Sequence, residues 1–255
     1  MRYITIGSGS AVPQRERSAP CHFISTGDHN IVVDLGPGST WGLIRHGNIG
    51  LPDIDLILFT HLHMDHCADL APLLFALRSP DLTRFKPLYI SGPQGLLEHY
   101  RKLQLIWEHR VDPAGFDLIM SEWGEAEFPR HTYIVDAAPT VHSLTNLAWR
   151  IDTGIEGERG IVITGDGQPT NELVRLAVSA DHVLVAESAA GPGELLEGHM
   201  NPVQAGELAS RCYSKKLILT HINPGAETEN ILEEAMTRFH GPVVVAEDGM
   251  IIDID

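Results

Sequence analysis

Four potential metal ligands fall within six residues in the segment His61-Leu62-His63-Met64-Asp65-His66, directly behind the apolar run Ile57-Leu58-Phe59 and Thr60. Such a run predicts a buried strand, and polar side chains at its end are costly to bury unless paired or bound to a metal. His61 and His63 are two residues apart, so in an extended segment they face the same way. Asp65 and His66 then follow in a turn that can present a carboxylate and an imidazole to a neighbouring point. Mixed nitrogen and oxygen ligands suit borderline divalent metals, zinc first, with iron and manganese as alternatives. A coordination position left open to water lowers that water's pKa to about 7 and supplies a nucleophile at neutral pH. The segment therefore predicts a metal-dependent hydrolase.

One cluster of four does not comfortably hold two ions, so further ligands are expected where other strands stop. His142 follows the run Tyr133–Val141, Asp166 follows Ile161–Thr164, and His221 follows Lys216–Leu219. Asp166 is the natural bridge, since a carboxylate has two oxygens to share. Asp34 is expected to support the metal loop, because ligand histidines usually donate their other N–H to an acceptor. Several features point to structure instead. Gly7–Pro13 lacks the GxxxxGK[ST] pattern of a phosphate loop and reads as a tight turn. Cys67 reads as a small buried filler, and Trp107, Trp123 and Trp149 as core aromatics rather than a substrate pocket.

The elements that must position these residues alternate along the chain. Strands are predicted at Tyr3–Ile6, His22–Thr26, Asn30–Asp34, Leu56–Phe59, Leu88–Ile90, Tyr133–Val141, Leu147–Ile151, Ile161–Thr164, His182–Ala186, Lys216–Leu219, Val243–Ala246 and Met250–Ile254. Amphipathic helices are predicted at Asp69–Arg78, Gly95–Glu108, Asn171–Val178, Pro202–Cys212 and Glu227–Phe239, where apolar residues recur at helical spacing. A layered α/β architecture follows, two sheets with helices on their outer faces. No repeat is legible between the halves. Of the 255 residues, 14 are histidine, and the formal net charge is -16, a field that repels polyanions. Cys21, Cys67 and Cys212 are odd in number and form no CxxC pair, which points away from a disulfide framework and towards a reducing compartment, the cytoplasm. No apolar run approaches the roughly 20 residues of a membrane span, and the N-terminus does not read as a signal peptide.

A series of motifs runs through the chain in a fixed order. Gly7-Ser8-Gly9-Ser10-Ala11-Val12-Pro13 with Arg17 comes first, then Val33-Asp34-Leu35-Gly36-Pro37-Gly38, then His61 to His66. His142-Ser143 is followed by Ala148-Trp149-Arg150-Ile151, and Gly165-Asp166 by Pro169; Glu187, Gly198-His199 and Leu219-Thr220-His221 complete the set. In this order they resemble the metallo-β-lactamase fold superfamily, and within it the ribonuclease Z and arylsulfatase branch. The resemblance implies one domain over residues 1–255, folded as a four-layer αββα sandwich. It also implies two divalent metal ions, one held by His61, His63 and His142 and the other by Asp65, His66 and His221, with Asp166 bridging them. Asp65, Glu187 and His199 would be the catalytic residues, His199 as a general acid oriented by Glu187. A homodimer is expected on the same ground.

Departures from the ribonuclease Z pattern bear on the substrate. Cys67-Ala68-Asp69-Leu70-Ala71-Pro72 stands where that family shows Gly-Leu-Pro, and Gly167 replaces the threonine of its Gly-Asp-Thr loop. No long glycine-rich basic insertion is present to grip transfer RNA. Lys215-Lys216 and Arg101-Lys102 are the only adjacent basic pairs. The expectation is a phosphodiesterase or arylsulfatase-like esterase acting on a small-molecule ester. A ribonuclease Z-type transfer-RNA 3′-processing endonuclease is the alternative within the fold, and a catalytically idle metal-binding protein the alternative outside enzymology. A class B β-lactamase would require secretion, and a flavodiiron reductase would carry a glutamate in place of His63.

Overall fold

The computed structural model describes residues 1–124, 133–153, 160–178, 183–189 and 191–254. The first half supplies β1 (Arg2–Gly7), β2 (Cys21–Ser25), β3 (Asn30–Val33), β4 (Leu56–Leu58), β5 (Leu88–Gly92) and β6 (Leu118–Glu122). The second supplies β7 (Ile134–Thr140), β8 (Asn146–Asp152), β9 (Gly160–Ile163), β10 (Val183–Glu187), β11 (Lys216–Thr220) and β12 (Val243–Val245), and the chain returns to the first sheet as β13 (Ile251–Asp253). The sheets are ordered β13-β1-β2-β3-β4-β5-β6 and β12-β11-β10-β9-β8-β7. In each, an antiparallel three-strand meander (β1-β2-β3, β7-β8-β9) continues into parallel strands. The halves therefore share a layout that their residues do not display as a repeat.

The inner strands of both sheets are buried on both faces, which is why they read as unbroken apolar runs such as Leu56-Ile57-Leu58 and Gly160-Ile161-Val162-Ile163. Successive side chains divide between two layers. Tyr3, Leu56, Leu58, Ile161, Ile163 and Val185 meet in the core between the sheets. Ile4, Ile57 and Phe59 turn outward against Leu43, Leu73 and Leu96 of the helices α1 (Ser39–Gly47), α3 (Leu70–Ala76) and α4 (Leu96–Trp107). Val162, Leu184 and Leu219 turn outward against α5 (Asn171–Ala177), α6 (Pro202–Arg211) and α7 (Thr228–Met236). The result is the expected αββα sandwich. The one-turn helix α2 (Met64–Cys67) overlaps the end of the His61–His66 segment, where the sequence predicts only a turn. No helix among the described residues is long and apolar enough to cross a membrane.

Among the strands and α-helices of the described residues, α1, α2 and β6 went unread in the sequence. The first carries two glycines and few strong helix formers, and β6 is a short edge strand whose Glu122 accepts from the Gly95 and Leu97 amides at the start of α4. The predicted strand His182–Ala186 is shifted: it runs Val183–Glu187, and His182 lies outside the described residues.

The exit of β4, which leads into the ligand segment, is fixed from the opposite sheet. The Trp149 indole Nε1–H on β8 donates to the Phe59 carbonyl at 3.0 Å, and the Leu147 amide donates to the Thr60 carbonyl at 2.9 Å. Trp149 is fully buried and meets Trp123 edge-on at 5.3 Å, so it belongs to the core. Replacing Trp149 by Phe keeps most of the packing but leaves the Phe59 carbonyl unpaired, an expected loss of about 1–3 kcal/mol. Trp149→Ala is expected to cost about 3–5 kcal/mol. Urea unfolding of the two variants checks both values, and equal losses would show that the hydrogen bond contributes nothing.

Candidate metal centre

The parallel strands β3, β4, β9, β10 and β11 end at one edge of the sandwich, and the polar residues collect there. His61 leaves β4, Asp166 follows β9, Glu187 closes β10 and His221 follows β11. His142, beyond β7, is tied to the Asp166 loop by a two-way backbone pairing of Val141 with Gln168. His199 sits just before α6, whose entry is held by a reciprocal cap: the Asn201 side chain accepts from the Gln204 amide, and the Gln204 side chain accepts from the Asn201 amide. Two ligand-bearing turns depend on close backbone approach. A Cβ on Gly36 would collide with the Asp65 carbonyl, and Gly167 adopts φ +118°, a conformation that a threonine would resist. The departure at Gly167 thus has a local cause.

The predicted ligands come together in two groups that meet at Asp166. In the first, His61 Nε2 is 2.9 Å from His63 Nδ1, His142 Nε2 is 3.2 Å from the same atom, and Asp166 Oδ2 is 3.8 Å from His61 Nε2. In the second, His221 Nε2 lies 3.4 Å from Asp65 Oδ2, and His66 Nε2 lies 3.5 Å from it. Asp166 reaches this group too, Oδ1 at 3.5 Å from His66 and Oδ2 at 3.4 Å from His221. Ligands about 2.0–2.1 Å from a tetrahedral ion stand about 3.3 Å apart, the spacing found here.

The donor set fits cations by an independent test. His66 Nε2, Asp166 Oδ1 and both nitrogens of His221 are buried with no hydrogen-bond partner among the described residues. Unpaired buried groups of this kind cost several kcal/mol unless something binds them. The charges point the same way. Asp166 is held well below the usual carboxylate range: burial opposes this, but His221 and His66 outweigh it. His66 is raised well above its ordinary value, since Asp166 and Asp34 overcome the effect of burial. Asp65 is pulled down to about 2 against burial, chiefly by His221 and His66. His61 is pushed down to about 2 by burial and by His66, so its ring is neutral and ready to ligate.

Outer contacts fix which nitrogen each ring presents. Asp34 does this for two rings: it accepts from His66 Nδ1 at 2.7 Å and from the Thr60 hydroxyl at 2.7 Å, and that hydroxyl accepts from His61 Nδ1 at 3.0 Å. His142 Nδ1 donates to the Gly198 carbonyl at 2.8 Å. His63 is turned the other way, with Nε2 facing the Ser143 hydroxyl at 3.4 Å and Nδ1 facing inward. The supporting role expected of Asp34 is therefore present, while those of Thr60, Ser143 and the Gly198 carbonyl were not read; Thr60, a polar residue closing an apolar run, was the available signal.

Glu187 and His199 form a pair beside the two groups. His199 Nδ1 is 2.8 Å from Glu187 Oε2 and 3.9 Å from Asp166 Oδ2. Burial and the charge of Asp166 push the Glu187 carboxyl up, while its other oxygen accepts from the Gly167 and Met200 amides. Burial lowers the pKa of His199, and Glu187 more than reverses that, so His199 is raised. Other candidates fall away from the site. The Ser8 amide and hydroxyl and the Ser18 amide are taken by Asp248, and the Gly9 amide by Ser18, so Gly7–Pro13 is a structural turn. Cys67 packs in the core under α3, and Trp107 lines an apolar surface cavity with Phe75 and Pro72.

Residues 29–222 match the family model described as a β-lactamase superfamily domain. The chain is 25% identical to the probable metallo-hydrolase YhfI of Bacillus subtilis, over 98% of this chain and 99% of that one; its crystal structure superposes with a TM-score of 0.83. It is 27% identical to a ribonuclease Z of Methanopyrus kandleri over 100% of this chain and 97% of that one. The short form of human tRNase Z superposes with a TM-score of 0.80 at 24% identity, each chain covered in full.

If cations complete this centre, removing them should destabilise the fold. At free metal 100-fold above Kd, one site adds about 2.7 kcal/mol. Calorimetry with and without a strong chelator is expected to show a lower melting temperature on chelation, restored by added zinc. Asp34→Asn is expected to weaken metal binding by about 10- to 100-fold, measured by competition with a chromophoric chelator.

Proposed function

Because the chain belongs to the β-lactamase superfamily, we propose that it is a dinuclear metal-dependent hydrolase acting on a small phosphodiester or a related ester. The observation that carries this reading is the meeting of two ligand groups on one carboxylate, Asp166, with the His199–Glu187 pair at their side. His61, His63 and His142 would hold one ion, and Asp65, His66 and His221 the other. Bound there, a metal pair supplies an acidified water and positive charge against the oxygens of an in-line displacement. Zinc suits the donor set best. Asp65 stays ionised and is placed to accept a hydrogen bond from the attacking water. His199 has Nδ1 committed to Glu187, so its Nε2 proton is the one available to the leaving oxygen. Glu187 fixes the ring and raises its pKa, which favours the protonated state a general acid needs.

The surroundings favour a small substrate over a polyanion. No lysine or arginine stands within three residues of His61, His63, Asp65, His66, His142, Asp166, Glu187, His199 or His221. The exposed neighbours of the ligands include Met64 and Leu144. Transfer-RNA processing is kept as a second reading by the end-to-end similarity to a ribonuclease Z.

The test is a metal analysis coupled to a screen of bis-p-nitrophenyl phosphate, p-nitrophenyl sulfate, a lactone and precursor transfer RNA. Turnover of the phosphodiester at two metals per chain is expected; clean RNA cleavage without ester turnover would reverse the ranking. His199→Ala is expected to lower kcat by about 10²- to 10⁴-fold with metal content intact. Loss of metal in that variant would make His199 a ligand instead of an acid.

A further inference from the structure

Five histidines belong to the two ligand groups, and four have their outward nitrogen on a protein partner: His61 on Thr60, His63 on Ser143, His66 on Asp34 and His142 on Gly198. His221 differs. Its Nε2 faces Asp65 and Asp166, and its Nδ1 is buried with no partner among the described residues. Behind it, between the sheets, lies a small cavity with about 10 Å³ open to a water's centre. The cavity is lined by His221, Thr220 and His22 and by the ligands His66 and Asp166, against the apolar Ile163 and Val185; Asp65, His61, His63 and His142 do not line it. It therefore adjoins the second ligand group from the inner side, sharing His66, Asp166 and His221 with it. Thr220 Oγ1 is also buried without a partner.

His22 supplies the third polar group. The Thr5 hydroxyl donates to Tyr3 Oη at 3.0 Å, and Tyr3 Oη is 2.9 Å from His22 Nδ1. With Tyr3 donating onwards, His22 carries its single proton on Nε2. Burial, with His66 and His221 nearby, pushes His22 down to about 3, which keeps the ring neutral. A cavity of this size holds one water, and a buried water needs two to four polar partners.

We propose that one water is bound in this cavity as the outer partner of His221, accepting from His221 Nδ1–H and His22 Nε2–H and donating to Thr220 Oγ1. His22 is then a positioning residue: it acts through the water to hold the tautomer in which His221 presents Nε2. The inference rests on the dinuclear reading above, because only a ligating Nε2 commits the proton of His221 to Nδ1.

The experiment measures the two metal affinities of the full chain by zinc titration against a chromophoric chelator, for wild type, His22→Phe, His22→Gln and Thr220→Val. His22→Phe is expected to weaken one of the two zinc ions by about 10- to 100-fold and leave the other nearly unchanged, with His22→Gln recovering part of the loss. Thr220→Val, close in shape and safe for folding, is expected to weaken the same ion in the same direction. A crystal structure of the zinc-loaded wild type should show the water within hydrogen-bond distance of His221 Nδ1. Two unchanged affinities in Thr220→Val and His22→Phe, or a dry cavity, overturn the proposal while the dinuclear reading stands. A wild type that binds fewer than two zinc ions overturns that reading and this inference with it.

Discussion

A single buried carboxylate does more to order this molecule than any other group. Asp34 takes the Thr60 amide on one oxygen and the Thr60 hydroxyl and His66 Nδ1 on the other. Those contacts hold the exit of β4, the ring of His66 and, through Thr60, the ring of His61. The residue leaves β3 at φ +62°, a strained turn for a non-glycine that its three hydrogen bonds hold in place. His221, at φ +59°, makes the same kind of turn out of β11. Both strained positions serve the same edge, where parallel strands of the two sheets end and side chains from each must be brought to a common point.

Neither sheet holds the centre alone. The first contributes His61, His63, Asp65 and His66, and the second His142, Asp166, His199 and His221. The apolar layer between the sheets therefore sets the ligand distances, and the two cross-sheet hydrogen bonds at Phe59 and Thr60 pin the register nearest the ligands. Packing and chemistry are one problem here: an error in how the sheets face one another would separate Asp166 from the histidines of the first half.

Much of this was legible in the residues. Unbroken β-branched runs gave most strands, because a sheet buried on both faces leaves no polar alternation to blur them. Every predicted ligand reached the centre, since polar side chains directly behind apolar strands have few other places to go. What was not legible depends on distance in space. The glycine-bearing α1 and the edge strand β6 carry weak local signals and are shaped by their neighbours. The roles of Ser143, the Gly198 carbonyl and His22 arise only when segments far apart in the sequence touch. The turn foreseen at Asp65 and His66 became a helical turn because the Cys67 amide bonds back to the His63 carbonyl.

The ladder of β1 with β13 pairs Arg2 with Asp253, and Asp248 fastens Ser8 and Ser18 beside it. Such contacts join segments 251 and 240 residues apart in the sequence, and contacts of that separation tend to form late. Until β13 has been synthesised, one edge of β1 is open to pairing with the wrong strand. The turn at Gly7–Pro13 is likewise fastened only when the C-terminal segment arrives. The ligand segments of both halves thus precede, in chain order, the strand that closes the first sheet.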